Sequence, residues 1–277
     1  MTAAARIALG TALLAALSAG PVAPRTRRVL ARTEPLTAGS TAREQALCPP
    51  GTLPDGEECV PFVGVRAGEG RELSSTQNEH VDRRGRRVVY EQIARQPDRP
   101  AAYERYRYPI PTDPADKLVV SGYDLDRPDT DQRRGAHLSA VGHGGIDLVA
   151  RRGTEVRLLP LEHQEGDAEV LYAGTLFGTT VVTRQTIREA GRLWDHVVLH
   201  GHLDAIERGI EKGRTVREGE LLGQVGDTGS EGLVHLHYEV RRAREGVRVF
   251  DLTPGQLIEN ARTIVVDPRN VLPLRDP

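Results

Sequence analysis

Histidines occur in three short segments of this 277-residue sequence, each next to glycines or a strand-like run. The segments are GHGGID at 142–147, HGHL at 200–203 and HLHYEV at 235–240. Neutral imidazole nitrogen and carboxylate oxygen suit zinc, and a catalytic zinc usually keeps about three protein ligands and one open position for water. A single histidine is more often structural, but the joint occurrence indicates a metal site with further histidines left for acid–base catalysis.

The spacing within these segments predicts how the side chains meet. If HLHYEV is a strand, its period of two places His235, His237 and Glu239 on one face. His143 and Asp147 are four positions apart, and the paired glycines between them favour a loop that runs into a strand. Either a loop or a helical turn lets both side chains reach one ion. We interpret Glu239 as a residue that orients a ligand, or as an edge residue, rather than as a ligand.

The elements that must position these residues are predicted to be strands. From Lys117 onward, short valine-rich runs alternate with glycines, and the sequence has 29 glycines, 18 prolines and only 4% aromatic residues. We therefore predict a mainly β fold built from an antiparallel sheet system. The run 216–229 is interpreted as turns that shape a cleft without binding anything, 185–195 as a turn or hairpin tip, and 254–261 as a short helix.

The first 114 residues are predicted to contain a signal peptide for export, a linker and an accessory region. Residues 1–20 have the order of a secretory signal peptide, and their apolar run is shorter than the about 20 residues that span a bilayer. An uncleaved anchor is the alternative, and stable membrane insertion is not expected if the signal is cleaved. Residues 21–47 are predicted to be a flexible linker, and residues 48–114 an accessory region of unknown role.

Cys48 and Cys59 enclose a loop rich in proline and glycine within the accessory region. Its closure by a disulfide suits an oxidising compartment, while two free thiols or half of a metal site are the competing interpretations. A charged segment around Arg83–Arg95 is predicted to be helical. The formal charge of −2 leaves no basic excess, so nucleic acid is not an expected partner.

The histidine segments also carry a family resemblance. HGGIDL, HGHL and HLHYEV, in this order and with GRTVREGELLGQVGDTG between the last two, resemble the lysostaphin/LytM-like zinc metallopeptidases. The resemblance spans about residues 122–240, and it implies antiparallel sheets with an open, sandwich-like groove for an extended peptide. It implies that one zinc ion is bound by His143, Asp147 and His237, and that the catalytic pair is His202 and His235.

One position departs from the family pattern. The family usually has an aromatic residue two positions before the histidine of the middle motif, where this sequence has His200. The choice of His202 over His200 therefore depends on the following Leu203, which the family pattern shares. The histidines outside the three segments are interpreted as structural or surface residues, namely His80, His137, His163 and His196.

The resemblance implies an exported zinc-dependent endopeptidase that hydrolyses peptide crosslinks of bacterial peptidoglycan. The peptidase domain is predicted at 115–250, with a C-terminal tail at 251–277 that packs on it. The main alternative is a non-catalytic wall-binding or amidase-activating relative of the same fold. A histidine phosphocarrier is a further alternative, disfavoured by the export signal and by Asp147. The bond cleaved, any inhibition by the N-terminal region and the oligomeric state stay open.

Overall fold

The computed structural model describes residues 52–55, 58–61, 68–81, 85–111, 118–125 and 142–275. The predicted signal peptide and linker, together with Cys48 and His137, lie outside the described residues, so the export signal and the disulfide stay predictions. Within the described part of the chain, no helix has both the length and the apolar character needed to cross a membrane.

Strands make up most of the described chain. In chain order they are β1 Thr52–Asp55, β2 Glu58–Pro61, β3 Thr76–Val81, β4 Arg87–Ile93, β5 Val119–Ser121, β6 Gly145–Val149, β7 Glu155–Arg157, β8 Ala168–Leu176, β9 Gly178–Glu189, β10 Arg192–Ile206, β11 Thr215–Val216, β12 Leu221–Val225, β13 His235–Ala243 and β14 Thr263–Val266. One short helix, α1 Pro254–Leu257, and three 3₁₀ turns at Tyr103–Arg105, Val249–Asp251 and Pro268–Asn270 complete the described elements. The predicted mainly β character is confirmed.

Twelve of the described strands form one branched sheet, and β1 pairs only with β2. Its longest path runs in the order β11-β8-β9-β10-β13-β14-β4-β3, with β6 also paired to β13 and β5, and β12 to β10 and β7. The described strand pairs are antiparallel except β14 with β4, which are parallel. The parallel pair lies outside the predicted peptidase domain at 115–250, and the described strand pairs within that domain are antiparallel, as predicted. The long intervening chain provides the crossover that a parallel pair requires.

Three sequence predictions outside the histidine segments can be compared with these elements. The segment around Arg83–Arg95 is not helical, because Arg87–Ile93 is strand β4, whose valines and tyrosine favour a sheet between β3 and β14. The predicted hairpin at 185–195 is present, with its tip between β9 and β10. The predicted helix at 254–261 is confirmed only as the single turn of α1.

The sheet includes strands from outside the predicted peptidase domain. Strands β3 and β4 come from the predicted accessory region 48–114, and β14 comes from the predicted tail 251–277. The described parts of these two regions are thus hydrogen-bonded into the same sheet as the histidine segments. The domain boundaries and the role of residues 48–114 stay predictions.

Strand β13 lies at the centre of the sheet, and each of its residues is buried. Along β13, Leu236, Tyr238 and Val240 pack into the main apolar core with Ile146 and Leu148 of β6. Full burial of an aliphatic side chain of this size stabilises the fold by about 1.5–3 kcal/mol. Because alternate residues of a strand point to opposite faces, the histidines of β13 are held on the face away from this core.

Candidate metal centre

The adjacent strands β6 and β13 bring the first and third histidine segments together. In their antiparallel register, Asp147 of β6 lies directly opposite His237 of β13, so their side chains share one face. His143 lies in the loop just before β6, as its paired glycines predicted. A Cβ atom at Gly145 would lie 2.6 Å from the carbonyl oxygen of Tyr238, so this close approach of the two backbones requires glycine.

Three side-chain atoms converge at this place. His143 Nε2 lies 3.1 Å from Asp147 Oδ1, and His237 Nδ1 lies 3.0 Å from the same oxygen. The two ring nitrogens are 3.2 Å apart. The imidazoles are buried, whereas the Asp147 side chain keeps 19% of its surface exposed, so the point of convergence can be reached from solvent. These three residues form a group that could hold a metal ion.

Hydrogen bonds on the far side of each ring fix which nitrogen faces the centre. His143 Nδ1 lies 2.9 Å from the carbonyl oxygen of Gly122, which only accepts, so Nδ1 carries the proton and Nε2 presents a lone pair. His237 Nε2 lies 3.3 Å from Glu239 Oε2, which leaves Nδ1 to face Asp147. A metal-binding histidine typically donates its other ring N–H to a carbonyl or a carboxylate in this way.

Glu239 is itself held by a chain of polar groups, which are buried except for Asn260. Arg241 Nη1 donates to Glu239 Oε1 at 2.6 Å. The same guanidinium donates through Nε to Thr263 Oγ1 at 2.7 Å and through Nη2 to Asn260 Oδ1 at 2.7 Å. This geometry supports the interpretation of Glu239 as an orienting residue, because its carboxylate contacts His237 on one side and Arg241 on the other.

The charges of this cluster shift the ordinary pKa values strongly. Burial raises the pKa of the Asp147 carboxyl, but hydrogen bonds from His143 and His237 outweigh burial and hold that pKa well below its usual range. Burial lowers the pKa of His237, but its hydrogen bonds to Asp147 and Glu239 raise that pKa to about 9. Without a metal ion, a proton on His237 therefore provides the positive charge between the two carboxylates.

His202 and His235 lie beside this centre with their rings 4.6 Å apart. His235 Nε2 is 3.6 Å from Asp147 Oδ1, and the His202 ring is 5.9 Å from the His237 ring. Both rings donate through Nδ1 to backbone carbonyls, His202 to Thr228 at 2.8 Å and His235 to Leu233 at 2.7 Å. Both Nε2 atoms are thus left free to take or give a proton. Burial lowers the pKa of His202 to about 4, so its ring is neutral at neutral pH.

An irregularity in β10 turns His202 toward the centre. The pairing of β10 with β9 shifts register between His200 and Leu203, and β10 then pairs with β12. His202 itself has a left-handed backbone with φ of 61°, which is uncommon for a residue other than glycine. Bulges of this kind often re-aim a side chain next to a functional site. The strained backbone is held by the His202 N–H, which donates to the carbonyl of Phe177 at 2.8 Å.

The irregularity also separates His202 from His200. His200 is fully buried, lies opposite Tyr238 in the register, and packs its ring edge-on against that tyrosine at 5.4 Å. It therefore lies on the core side of the sheet, away from the metal centre. Of the histidines outside the three segments, His196 is fully buried with its Nε2 3.3 Å from Glu189 Oε1, and His163 lines a separate cavity.

Part of the site consists of backbone carbonyls, and these could not be predicted from the sequence. The carbonyls of Gly122, Thr228 and Leu233 orient three of the five histidine and aspartate side chains, yet a carbonyl is common to every residue type. Only the glycine-rich turn gives an indirect signal. A Cβ at Gly178, where φ is 58°, would lie 1.7 Å from the Thr228 oxygen, so glycine is required for the turn to come this close.

The fold and the site together define a β protein with a histidine–aspartate–histidine group that could hold a metal ion. Residues 141–249 match peptidase family M23. This match confirms the resemblance to lysostaphin/LytM-like peptidases and supports a metallopeptidase in general. A comparison with curated proteins gave no match.

Several solved structures are similar to this chain. The catalytic domain of the prophage-encoded M23 protein EnpA from Enterococcus faecalis is 25% identical, with a TM-score of 0.30 and coverage of 47% of this chain and 83% of that chain. The antimicrobial peptidase lysostaphin from Staphylococcus simulans is 16% identical, with a TM-score of 0.34 and coverage of 60% and 50%. A zinc-containing peptidase from Vibrio cholerae is 23% identical, with a TM-score of 0.33 and coverage of 59% and 43%. Because all three TM-scores are low, the family assignment depends on the sequence match.

Proposed function

We propose that this chain is an exported zinc-dependent endopeptidase that hydrolyses peptide crosslinks of bacterial peptidoglycan. One zinc ion per chain would be held by His143, Asp147 and His237. The observation that carries the proposal is the convergence of His143 Nε2, Asp147 Oδ1 and His237 Nδ1, each within 3.2 Å of the other two. Two nitrogens and one carboxylate oxygen are a donor set that suits a catalytic zinc with one open position.

A zinc ion bound here would lower the pKa of a bound water toward about 7 and polarise the scissile carbonyl. The catalytic pair of this proposal is His202 and His235, whose Nε2 atoms are the free ring positions beside the centre. A neutral His202 can accept the proton of an attacking water, and His235 can stabilise developing negative charge or return a proton to the leaving amine. The reverse division of roles uses the same geometry.

The family and the sequence support the substrate and the compartment. Peptidases of family M23 act on peptidoglycan crosslinks and are typically secreted or periplasmic. The proposed signal peptide at 1–20 agrees with such a location. The net charge of −2 gives no electrostatic reason to expect nucleic acid as a partner.

The test is the zinc content of the purified chain, measured by elemental analysis, together with peptide release from purified peptidoglycan. We expect about one zinc per chain and cleavage that a chelator abolishes and added zinc restores. His143→Ala should lose both zinc and cleavage, whereas His235→Ala should lose cleavage while it retains zinc.

Two other results would redirect the proposal. A folded, zinc-free chain that releases no peptides after zinc is added would favour the non-catalytic wall-binding or amidase-activating relative. A chain that binds zinc but leaves peptidoglycan intact would keep the metal site and exclude this substrate.

A further inference from the structure

The loop between β12 and β13, residues 226–234, contacts both histidines of the proposed catalytic pair. Its Thr228 carbonyl accepts from His202 Nδ1 at 2.8 Å, and its Leu233 carbonyl accepts from His235 Nδ1 at 2.7 Å. The two histidines come from different strands, the first from β10 and the second from the start of β13. This one loop therefore determines which nitrogen of each ring faces the metal centre.

Much of loop 226–234 is exposed to solvent. Residues 229 and 231–233 are exposed, whereas Thr228 is half-buried. Surface loops are more mobile than the strands that they connect. A catalytic side chain, in contrast, has to be held within about 0.5 Å of its productive geometry. The carbonyl that accepts from His202 therefore requires an anchor to the sheet.

The hydroxyl of Thr228 provides this anchor. Its Oγ1 accepts from the Thr179 N–H at 2.7 Å and donates to the Leu203 carbonyl at 2.8 Å. Thr179 and Leu203 are register partners on β9 and β10. A hydroxyl both donates and accepts, so one side chain can hydrogen-bond to both backbones. The Thr228 side chain thus links the loop to two strands directly beside His202.

This link lies at the irregularity in β10. The register of β10 with β9 shifts between His200 and Leu203, and within this shift His202 has its left-handed backbone with φ of 61°. Such a conformation persists only where the surrounding structure holds it. Thr228 contacts the ring of His202 through its carbonyl and the backbone of the following Leu203 through its hydroxyl. One threonine therefore holds the ring and the adjacent backbone together.

We propose that Thr228 is a positioning residue for His202. Its hydroxyl fixes the loop to β9 and β10, so that its carbonyl selects the tautomer of His202 with the proton on Nδ1 and directs Nε2 toward the metal centre. The proposal rests on the catalytic role of His202 in the proposed function. The tautomer of the ring can nevertheless be measured without any cleavage, so the two proposals can fail separately.

The test is NMR of the full chain, with zinc added and the histidine nitrogens labelled, because the nitrogen resonances distinguish the two neutral tautomers. The resonances of His202 are identified by their absence in His202→Ala. We expect the Nδ1–H tautomer in the unaltered chain. Thr228→Val keeps the shape of the side chain but removes both hydrogen bonds of the hydroxyl, so it should give a mixture of tautomers. Thr228→Ser retains the hydroxyl and should restore the Nδ1–H tautomer.

Peptide release by the same samples gives the second measurement. Thr228→Val should lower the rate at saturating substrate by about 10–100-fold with unchanged zinc content, since the ring of His202 remains but is misplaced. Thr228→Ser should recover most of this loss. Thr186→Val is the matched control, because the Thr186 hydroxyl donates to Asp195 Oδ1 at 2.8 Å toward the other end of β9. It should change neither the tautomer nor the rate.

Three results would overturn the proposal: a proton on Nε2 of His202 in the unaltered chain, a single Nδ1–H tautomer in folded Thr228→Val, or an unchanged rate of peptide release in that variant. If Thr228→Val does not fold, Thr228→Ala replaces it with the same expected results. The expected tautomers in a chain that releases no peptides even when unaltered would support the positioning role of Thr228 and contradict the proposed function instead.

Discussion

Two buried histidine–carboxylate clusters lie toward different ends of strand β13, which contributes His237 to one and Arg242 to the other. The first is the metal centre around Asp147 and His237. The second is a closed cluster in which His196 Nε2 lies 3.3 Å from Glu189 Oε1, and Arg242 Nη1 donates to Glu189 Oε2 at 3.0 Å. Both clusters contain histidine within ion-pair distance of a carboxylate, so proximity and burial alone do not distinguish a functional site.

The arrangement of donors and acceptors does distinguish them. In the closed cluster, Glu189 receives hydrogen bonds from Arg242 and from the Leu73 N–H, and its pKa lies below the usual value because His196 and Arg242 outweigh burial. In the metal centre, two ring nitrogens and a carboxylate oxygen face one another, and an added cation can satisfy all three. Convergence of three lone-pair atoms therefore marks the metal centre, whereas in the closed cluster Glu189 Oε2 already accepts from Arg242 and from the Leu73 N–H, and a single ring nitrogen faces Glu189 Oε1.

The largest expected effect is the loss of metal in Asp147→Ala. This change removes the carboxylate that both ring nitrogens contact, so zinc content should fall from about one per chain to near zero and cleavage by at least about a thousand-fold. Elemental analysis and peptide release measure the two effects. An Asp147→Ala chain with full zinc content would show that other residues hold the metal ion.

His202→Ala should separate catalysis from metal binding. We expect zinc content to stay unchanged, because His202 contacts the neighbouring rings and not the point of convergence, while kcat falls by about 10²–10⁴-fold through loss of acid–base catalysis. Rates of peptide release at saturating substrate, with zinc content of the same sample, test this. Loss of zinc in this variant would make His202 a ligand instead.

Glu239→Gln should weaken the metal centre without removing a ligand. The amide cannot provide the negative charge that orients His237, so metal affinity should fall by about 10–100-fold. A chelator competition measures the affinity, and the visible spectrum of the cobalt-substituted chain reports the ligand geometry. Asn260→Ala, at the far end of the Arg241 contacts, should have a smaller effect, and an equal effect of both variants would indicate a general loss of structure.

His196→Gln should affect stability and not the metal centre, in contrast to the three variants above. Zinc content and cleavage should remain as in the unaltered chain, while the free energy of unfolding falls by about 1–3 kcal/mol because the buried Glu189 Oε1 loses the ring nitrogen that lies 3.3 Å from it. Urea unfolding measures the stability. If this variant lost zinc or cleavage while still folded, the two clusters would be coupled and the separation drawn between them would be wrong.

The sequence predicted the parts of this site that depend on residue type and spacing. The period of two in HLHYEV was sufficient to place His235 and His237 on one face, and the glycines after His143 correctly indicated a loop before a strand. Their ligand and catalytic roles stay predictions. The register shift in β10 that turns His202 inward has no residue signature, and neither do the carbonyls that select the tautomers. The parallel pair β14–β4 joins segments too far apart in sequence for any local pattern to reveal.

The smallest expected effect concerns His200, which occupies the place of a family aromatic. Burial lowers its pKa to about 4 from an ordinary value of 6.5. Below about pH 6.5 His200 therefore binds a proton in the unfolded chain but not in the folded chain. The free energy of unfolding consequently falls as the pH is lowered, until about pH 4. His200→Phe removes this contribution to the pH dependence of stability and places the aromatic ring of a phenylalanine next to Tyr238.

Urea unfolding of the chelated chain at pH 7.5 and pH 5 tests this. The loss of stability between these pH values should be smaller by about 2 kcal/mol in His200→Phe than in the unaltered chain. The pKa of His202 is also about 4, so this histidine contributes the same loss of stability between the two pH values in both chains. An unchanged slope would mean that His200 is protonated within the fold, and loss of peptide release in the zinc-loaded variant would move the catalytic role from His202 to His200.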